Sequence, residues 1–426
     1  MTRTERWIRQ AVGRRILLTG YPCLYWTAYV WRRCLRRTRF VLVTGSLGKT
    51  TTKELLAELV RTRWRTFASR GTQNARGSLA LNVLRVRPWH RVAVIEAGTF
   101  RPGYLAAAAR MLAPDMVVLL SVARSHWASF HSLQAVAEEK KSVLRFLRPG
   151  GVVVVNGSEP FFADVEGTDR FRVVRAGGGE GSLLECTKVE SWAWPDRLRF
   201  RINWRGRPFL VGTRLLGRHW VNPILCALAA AAELGVEPEA AVAACERVKP
   251  FPGRLQPVAL PSGAVAIRDD FSGSPETFQS ALEVLGGSKA CRRILVAGDY
   301  SDAGSGGPRR RLYRLGRDAA SICDMVVFVG EHSHRAVAGA LKGGMATEMV
   351  HSFPGVHAAA AFLRSSLKPG DLVLVKGRMA EHLERIVLEQ VGHVKCRTVR
   401  CGLKGSCETC FRSGLSNKET GRLVGL

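Results

Sequence analysis

Residues 40–60 read FVLVTGSLGKTTTKELLAELV, and they carry the most information about the fold. The apolar run at 40–44 predicts a strand, and it leads directly into a glycine loop that ends in the pair Lys49-Thr50. The apolar residues after the loop have the spacing of a helix: Leu55, Leu56, Leu59 and Val60. A strand, glycine loop and helix in this order surround a phosphate with backbone N–H groups, a lysine charge and a hydroxyl that can ligate Mg²⁺.

The predicted phosphate-binding loop consists of Gly45, Ser46, Gly48, Lys49, Thr50 and Thr51. A strict P-loop motif has glycine at position 43, where this chain has Val43, so we interpret the loop as a shorter variant. A purely structural glycine turn is the alternative interpretation.

Short apolar runs alternate with helical patterns along most of the chain. Runs at 92–97, 116–121 and 152–156 indicate strands of a parallel sheet that is covered on both faces, and a second block of such runs begins after Arg254. We therefore predict an α/β fold with a parallel-sheet P-loop ATPase central domain and a Rossmann-like C-terminal ligase domain. The predicted divisions are a basic aromatic segment at 1–39, the central domain at 40–250, the C-terminal domain at 251–394 and a cysteine-rich tail at 395–426.

The composition is that of a globular protein, because 46% of the 426 residues are hydrophobic and 23% are charged. These values exclude collagen-like, low-complexity and multi-pass membrane proteins. The charge is unusual: 64 Lys and Arg residues against 35 Asp and Glu give a net charge of +29. Such an excess favours a polyanionic partner, although a compositional bias towards arginine would also produce it. No aromatic-basic RNA motif or helix-turn-helix pattern supports nucleic acid as that partner.

The N-terminal segment contains an apolar, aromatic run at 16–31 that is flanked by arginines. The run is shorter than the roughly 20 residues that span a bilayer, and no signal-peptide cleavage site follows it. We expect either an anchor on an anionic membrane surface or a helix packed on the next domain. Seven scattered cysteines indicate reduced thiols in a cytoplasmic protein, which would be peripheral at the inner face of the membrane if the anchor forms. They are Cys23, Cys34, Cys186, Cys226, Cys245, Cys291 and Cys323.

Three polar side chains of the central domain are difficult to explain as scaffold. Glu96 ends an apolar strand at the sheet edge where open α/β folds bind ligands, and a buried carboxylate there needs a cation. His126 follows the next strand by five residues and should reach the same edge, although an ordinary loop histidine is the alternative. Lys140 falls on the apolar face of the helix predicted at 133–147. It is either a snorkelling lysine or a lysine whose amine has been changed chemically to suit a cationic site.

With these residues the chain resembles the Mur ligases, and in detail their UDP-N-acetylmuramoyl-tripeptide:D-alanyl-D-alanine ligase branch. The similarity covers roughly residues 40–392, and residues 44–51 match the family's TGxxGKTT loop. Asn74 and Gly77 match its asparagine and glycine segment. Later motifs are GRH at 217–219, PGR at 252–254, IRDDFSGSPETF at 267–278, LVAGDY at 295–300 and LVKG at 374–377.

The resemblance implies an ATP-dependent amide-forming ligase that acts through an acyl phosphate, with ATP and Mg²⁺ as cofactors. It implies small-molecule or peptide carboxylate and amine substrates, as in cell-wall precursors. Thr50, Glu96 and His126 would hold Mg²⁺, Arg254 would contact ATP, and Lys140 would be carbamylated. The catalytic residues implied are Lys49, Glu96, His126, Lys140 and Asp269.

Several positions depart from the branch pattern. The segment expected to hold adenine reads HWVNP at 219–223, without asparagines at their usual places, and Ser272 and Ser274 replace two later asparagines. The residues before position 40 are too few for the family's N-terminal UDP-sugar-binding domain. We therefore expect retained ATP chemistry with altered substrate contacts. The alternative is a membrane-docked, ATP-binding scaffold that has lost ligase activity.

The tail contains a cysteine cluster with the spacing C-x4-C-x5-C-x2-C, formed by Cys396, Cys401, Cys407 and Cys410. Four thiolates within this distance would close a tetrahedral Zn²⁺ site. An iron–sulfur cluster and simple reduced or redox-paired thiols are the alternatives.

Overall fold

The computed structural model describes residues 21–74, 76–124, 127–179, 181–300, 308–399, 401, 406–416 and 419. Two sheets organise these residues, and helices pack against both. The predicted α/β class is confirmed, since both sheets are mainly parallel. The domain boundaries given above stay a prediction.

The first sheet has nine strands in the order β2-β3-β1-β4-β5-β6-β7-β8-β9. Its strands are β1 (Arg39–Thr44), β2 (Thr66–Ala68), β3 (Val92–Glu96), β4 (Met116–Leu119), β5 (Gly151–Asn156), β6 (Phe171–Ala176), β7 (Leu184–Ser191), β8 (Arg199–Trp204) and β9 (Arg207–Gly212). The strands from β2 to β7 are parallel, whereas β8 pairs antiparallel with both β7 and β9. The chain leaves β1 towards one edge of the sheet and leaves β4 towards the other. The crevice between the carboxyl ends of β1 and β4 is therefore the switch point at which α/β sheets bind ligands.

The second sheet has six strands in the order β10-β11-β15-β12-β13-β14. Its strands are β10 (Gln256–Ala259), β11 (Val265–Asp269), β12 (Arg292–Ala297), β13 (Met325–Val329), β14 (Val350–Phe353) and β15 (Asp371–Lys376). Only β10 runs antiparallel to its neighbour. In-register pairing of β11 with β15 places Asp269 beside Lys376 at the carboxyl edge.

The helices cover both faces of the parallel part of each sheet, as continuous apolar strands require. They are α1 (Tyr21–Cys34), α2 (Lys49–Arg61), α3 (Arg76–Arg85), α4 (Tyr104–Leu112), α5 (Trp127–Phe130), α6 (Leu133–Lys141), α7 (Val221–Glu233), α8 (Pro238–Cys245), α9 (Pro275–Gly286), α10 (Pro308–Ala320), α11 (His334–Lys342), α12 (Val356–Ser366) and α13 (Glu384–Val391).

Helix α1 packs on α3 and α4 of the first domain. Its Arg32 is buried, donates to the Leu112 carbonyl at 2.6 Å and forms an ion pair with Asp115 at 2.9 Å. Trp31 Nε1 donates to the Val86 carbonyl at 2.9 Å. These contacts agree with the expected helix on the next domain. Within the described part of the chain, every helix is too short or too polar to cross a bilayer.

Candidate active site

The glycine loop joins the end of β1 to the start of α2, as predicted. Gly48 is left-handed, with φ of 80°, and a Cβ there would lie 3.3 Å from the ring of Pro223. A Cβ on Gly45 would lie 2.8 Å from Cβ of Leu120, which is closer than carbon atoms approach. Glycine is therefore needed at both positions, once for backbone conformation and once for space.

The loop is fixed by the residues that follow β4. The Ser46 N–H donates to the Ser121 carbonyl at 2.8 Å, and the Leu47 N–H donates to Ser121 Oγ at 3.0 Å. The Ala123 N–H in turn donates to Ser46 Oγ at 2.9 Å. Because two strand ends hold the loop, it is preorganised around the crevice between β1 and β4.

Lys49 points its ammonium back over the loop. Its Nζ donates to the carbonyls of Gly45 and Ser46 at 2.8 and 2.9 Å. Burial lowers the pKa of Lys49, Glu96 opposes that shift, and Arg254 adds to it. The lysine thus lies close to a carboxylate of the first domain and to an arginine that follows it in the chain.

Glu96 occupies the predicted position at the carboxyl end of β3 and is 1% exposed. Its Oε2 accepts a 2.8 Å hydrogen bond from Thr50 Oγ1, and its Oε1 accepts from Asn74 Nδ2 at 3.1 Å. A carboxylate and a hydroxyl in contact form the hard oxygen donor set that Mg²⁺ prefers, and Thr50 and Glu96 therefore fit the predicted ion. His126, the third predicted ligand, lies outside the described residues.

Lys140 is buried on α6, as its spacing predicted, and is 1% exposed. Burial lowers the pKa of Lys140 well below its usual value, and the charge of Lys49 lowers it further. The carboxylates of Glu139 and Glu159 oppose this shift. Burial is the largest of these effects, and it disfavours the ammonium form of Lys140.

Glu139, which the sequence analysis missed, fixes the segment after Glu96. Its carboxylate is buried and accepts from the N–H groups of Gly103 and Leu105 at 2.7 and 2.8 Å, at the start of α4. A glutamate beside a lysine on a helix is typical of a solvent-exposed pair. The sequence therefore offered no signal that Glu139 binds backbone N–H groups.

The second domain contributes a buried ion pair, Asp269 with Lys376, whose Oδ2 and Nζ are 2.9 Å apart. Asp269 was predicted, whereas Lys376 was noted only as part of the LVKG motif. A lysine that ends the apolar run DLVLVK parallels the Glu96 signal and could have been found in the same way. Lys376 Nζ also contacts Thr277 Oγ1 at 3.2 Å, so it links β11, β15 and α9.

Arg254 is placed between the two domains' acidic groups. Burial lowers the pKa of Arg254, and the carboxylates of Asp269, Glu96 and Asp270 oppose that shift. Its guanidinium lies 4.6 Å from the ring centre of Phe271. The charge of Arg254 therefore interacts with Glu96 of the first sheet and with Asp269 of the second.

His219 lies near the same groups. Burial lowers the pKa of His219 to about 4, Asp269 opposes the shift, and Lys376 and Arg254 reinforce it. Its Nδ1 is buried and has no hydrogen-bond partner within the described residues. The ring is therefore neutral at physiological pH.

A cavity of 490 Å³ opens at the carboxyl ends of β12, β13 and β15. Its lining combines both signs of charge: Asp299, Glu331, Arg378, Arg385 and Arg397. Such a lining suits a small ligand that carries an ammonium and a carboxylate.

The predicted four-cysteine zinc site is not formed by the described residues. Cys407 is 4% exposed and inserts into the core of the second domain, where it lies beside His382 and Glu384. Burial raises the pKa of the Cys407 thiol to about 12. Cys396, Cys401 and Cys410 are only partly buried and do not join that group. The spacing alone was misleading, because Cys407 meets His382 and Glu384 in the core while the other three cysteines are only partly buried.

Comparison with known proteins finds family matches for both domains. Residues 43–231 match the Mur ligase middle domain, and residues 253–379 match the domain described as Mur ligase, glutamate ligase domain. The UDP-N-acetylmuramoyl-tripeptide–D-alanyl-D-alanine ligase of Bacillus subtilis is 26% identical over 83% of this chain and 76% of its own length. The Mycobacterium tuberculosis ligase of the same name is 28% identical over 84% of this chain and 74% of its own length.

Solved structures agree on the fold. MurF from Acinetobacter baumannii has a TM-score of 0.78 at 24% identity and covers 86% of this chain and 79% of that chain. MurF from Thermotoga maritima in complex with ADP has a TM-score of 0.74 at 22% identity over 87% and 83%. Because the two domain matches follow one another and together span most of the residues, the chain belongs to the Mur ligase family and is an ATP-dependent carbon–nitrogen ligase.

Proposed function

We propose that the protein joins the carboxylate of a peptidoglycan-precursor peptide to the amine of an amino acid or dipeptide, and that ATP supplies the energy. The observation that carries this proposal is the buried contact between Thr50 and Glu96 beside Lys49. The substrate class comes from the curated relatives, whose names state a UDP-N-acetylmuramoyl-tripeptide and D-alanyl-D-alanine.

In the first step, a carboxylate oxygen of the acid attacks the γ-phosphorus of ATP, and ADP leaves. Lys49 and the loop N–H groups hold the phosphates, and Arg254 adds positive charge from the second domain. Thr50 and Glu96 would hold Mg²⁺, which supplies charge neutralisation to the phosphates when it is bound. The product of this step is an acyl phosphate.

In the second step, the amine nitrogen attacks the acyl carbon. The amine loses a proton, the carbon–oxygen bond to phosphate breaks, and an amide and inorganic phosphate result. We assign the amine to the cavity between Asp299, Glu331 and Arg378, because its mixed charges match an ammonium and a carboxylate.

We also propose that Lys140 is carbamylated. Carbamate formation requires an uncharged amine, and burial beside Lys49 favours that form. The Nζ lone pair of the neutral amine attacks the carbon of CO₂, one proton is released to solvent, and the side chain changes from a neutral amine to an anion. The anion would attract the Lys49 ammonium, whereas an ammonium at Lys140 would repel it.

The carbamate is tested by ¹³C NMR of protein equilibrated with ¹³C-bicarbonate. We expect a carbamate signal in the wild type that is missing in Lys140→Ala, and lower activity in buffer free of CO₂. Full activity of the wild type without CO₂, together with no Lys140-dependent signal, would reject the modification.

We further propose that the N-terminal region docks on anionic membranes. Trp26 and Val30 of α1 are 54% and 59% exposed, and the exposed Arg33, Arg36 and Arg37 follow them. Exposed apolar side chains beside arginines suit the interface of an anionic leaflet. The protein should sediment with vesicles that contain phosphatidylglycerol, and Trp26→Ser should weaken this binding. Equal binding by both proteins would contradict the proposal.

The ligase proposal is tested with purified protein, Mg-ATP, UDP-N-acetylmuramoyl-tripeptide and D-alanyl-D-alanine. Release of ADP and a product mass equal to the two substrates less one water are expected, with Lys49→Ala as the inactive reference. Product from other acid and amine pools alone would preserve the chemistry and reject this substrate pair. Tight ATP binding without product from any pool would favour a scaffold that has lost ligase activity.

A further inference from the structure

Three side chains of metal-ligating types meet in the core of the second domain. His382 precedes α13, Glu384 begins that helix, and Cys407 comes from the tail. They are 3%, 3% and 4% exposed, and their ligand atoms all lie within 4.8 Å of one another. Two separate stretches of chain therefore bring a nitrogen, an oxygen and a sulfur donor to one buried point.

The distances between these donors match the edges of a tetrahedral zinc site. Cys407 Sγ lies 3.4 Å from His382 Nδ1, and that nitrogen lies 3.5 Å from Glu384 Oε1. Zinc bonds of about 2.0–2.3 Å at tetrahedral angles separate such ligand atoms by roughly 3.3–3.6 Å. Two of the three edges therefore have the length of a tetrahedral zinc site, and the ligand atoms of Cys407 and Glu384 lie within 4.8 Å of each other.

Polar atoms of the same side chains are left without partners. Glu384 Oε2 and His382 Nε2 are buried and make no hydrogen bond within the described residues. An uncompensated carboxylate oxygen in a protein core is strongly destabilising, and a bound cation removes that penalty. A buried thiol packed against the same carboxylate provides the second negative charge when it is deprotonated by a metal.

Neighbouring groups orient the three donors. Arg385 Nε donates to Cys407 Sγ at 3.1 Å, and the Cys407 N–H donates to Glu384 Oε1 at 3.1 Å. Contacts of this kind around metal ligands fix their orientation. The adjacent tail residue Glu408 forms an ion pair with Arg268, which also binds Asp270. The tail is therefore held beside the strand end that carries Asp269.

We propose that His382, Glu384 and Cys407 bind one Zn²⁺ ion, with a water molecule as the fourth ligand. Sulfur and imidazole donors select zinc over Mg²⁺ or Ca²⁺. One thiolate and one carboxylate balance the charge of the ion. The ion would fasten the tail to the start of α13, which the chain otherwise holds by hydrogen bonds and packing. This site is independent of the proposed ligase function.

The experiment measures bound metal in the full-length, tag-free protein after incubation with Zn²⁺ and desalting. We expect about one zinc per chain in the wild type, and at least a tenfold loss in Cys407→Ser and in Glu384→Gln. Cys396→Ser and Cys410→Ser are matched controls in the same tail and should keep the ion. Circular dichroism of each variant separates loss of metal from loss of fold.

A second readout is spectroscopic, and its main result comes from the wild type. Replacing zinc with Co²⁺ should produce a thiolate-to-cobalt charge-transfer band in the wild type and in Cys410→Ser. No stoichiometric zinc and no such band in the wild type would overturn the proposal. Equal loss of metal in Cys410→Ser and Cys407→Ser would also overturn it, because that result would assign the ion to a cysteine cluster.

Discussion

Glu96 is the side chain on which the proposed phosphoryl transfer depends most. It is buried, and Thr50 and Asn74 hold both of its oxygens. Glu96→Gln keeps the shape but removes the charge that would hold Mg²⁺. We expect kcat for ADP release to fall by about 10²–10³, the size of loss seen when one preorganised electrostatic group is removed.

The control for this prediction is Glu138→Gln. Glu138 is an exposed carboxylate that pairs with Lys141 at 2.7 Å on the surface of α6. Its kcat should stay within twofold of the wild type. An active Glu96→Gln variant with normal kcat would show that Glu96 does not take part in phosphoryl transfer.

Side-chain roles at the strand ends were predictable to different degrees. Glu96 and Lys140 could be found because a charge in an apolar strand or on an apolar helix face needs an explanation, and Lys49 because it ends the glycine loop. Glu139 could not, because its partners are backbone N–H groups 34 and 36 residues earlier in the chain. Pairing between distant segments is a property of the folded chain and leaves no local pattern.

His219 should make stability depend on pH. The pKa of His219 is about 4 in the folded protein, against 6.5 for the free side chain. Between these values the unfolded chain binds more protons, so the free energy of unfolding should fall as pH decreases from 6.5 to 4. We expect this group to contribute on the order of 2 kcal/mol to that fall.

Urea unfolding at several pH values checks the histidine prediction. His219→Gln should flatten the pH dependence of the free energy of unfolding between pH 6.5 and 4, whereas His393→Gln, at an exposed position, should leave it unchanged. An unaltered slope in His219→Gln would show that another group titrates in this range.

Asp115 is one of the residues that hold helix α1 to the first domain. This carboxylate accepts from Arg32 at 2.9 Å and from the Phe40 N–H at 2.8 Å, so it joins α1 to the start of β1. Asp115→Asn leaves the buried Arg32 without its counter-charge. We expect the free energy of unfolding to decrease by roughly 3 kcal/mol, as for other buried pairs that lose one partner.

Chemical denaturation measures this change, with Arg36→Ala as the control. Arg36 is exposed on the same segment, and its removal should change stability by less than about 0.5 kcal/mol. Equal effects of the two substitutions would mean that the segment is held by general packing rather than by the buried pair.

The strands and helices differ in how far the sequence determines them. The apolar parallel strands were predicted because they are buried on both faces. The antiparallel strands β7 to β9 were missed, although β8 alternates as RFRINW with buried Phe200, Ile202 and Trp204. Because β8 is covered on one side only, its outer face carries arginines. These charges interrupt the apolar run by which the other strands were predicted. The docking of α1 was left as one of two alternatives, because the sequence does not distinguish the buried Arg32 from the exposed arginines that follow it.

At the scale of the whole molecule, the carboxyl edges of the two sheets supply different groups to the proposed reaction. Glu96, Thr50 and Lys49 belong to the first sheet, and Asp269 belongs to the second. The charge of Arg254 interacts with carboxylates of both sheets. The architecture was predictable from the order of the motifs, whereas the contacts between the domains were not, since they join residues far apart in the sequence.

The proposed mechanism requires that this chain activate a carboxylate as an acyl phosphate before the amine attacks. The decisive experiment supplies UDP-N-acetylmuramoyl-tripeptide with ¹⁸O in its reacting carboxylate, together with Mg-ATP and D-alanyl-D-alanine. We expect one ¹⁸O atom in the inorganic phosphate for each amide bond formed, and neither product with Lys49→Ala. Amide formation with unlabelled phosphate would contradict it.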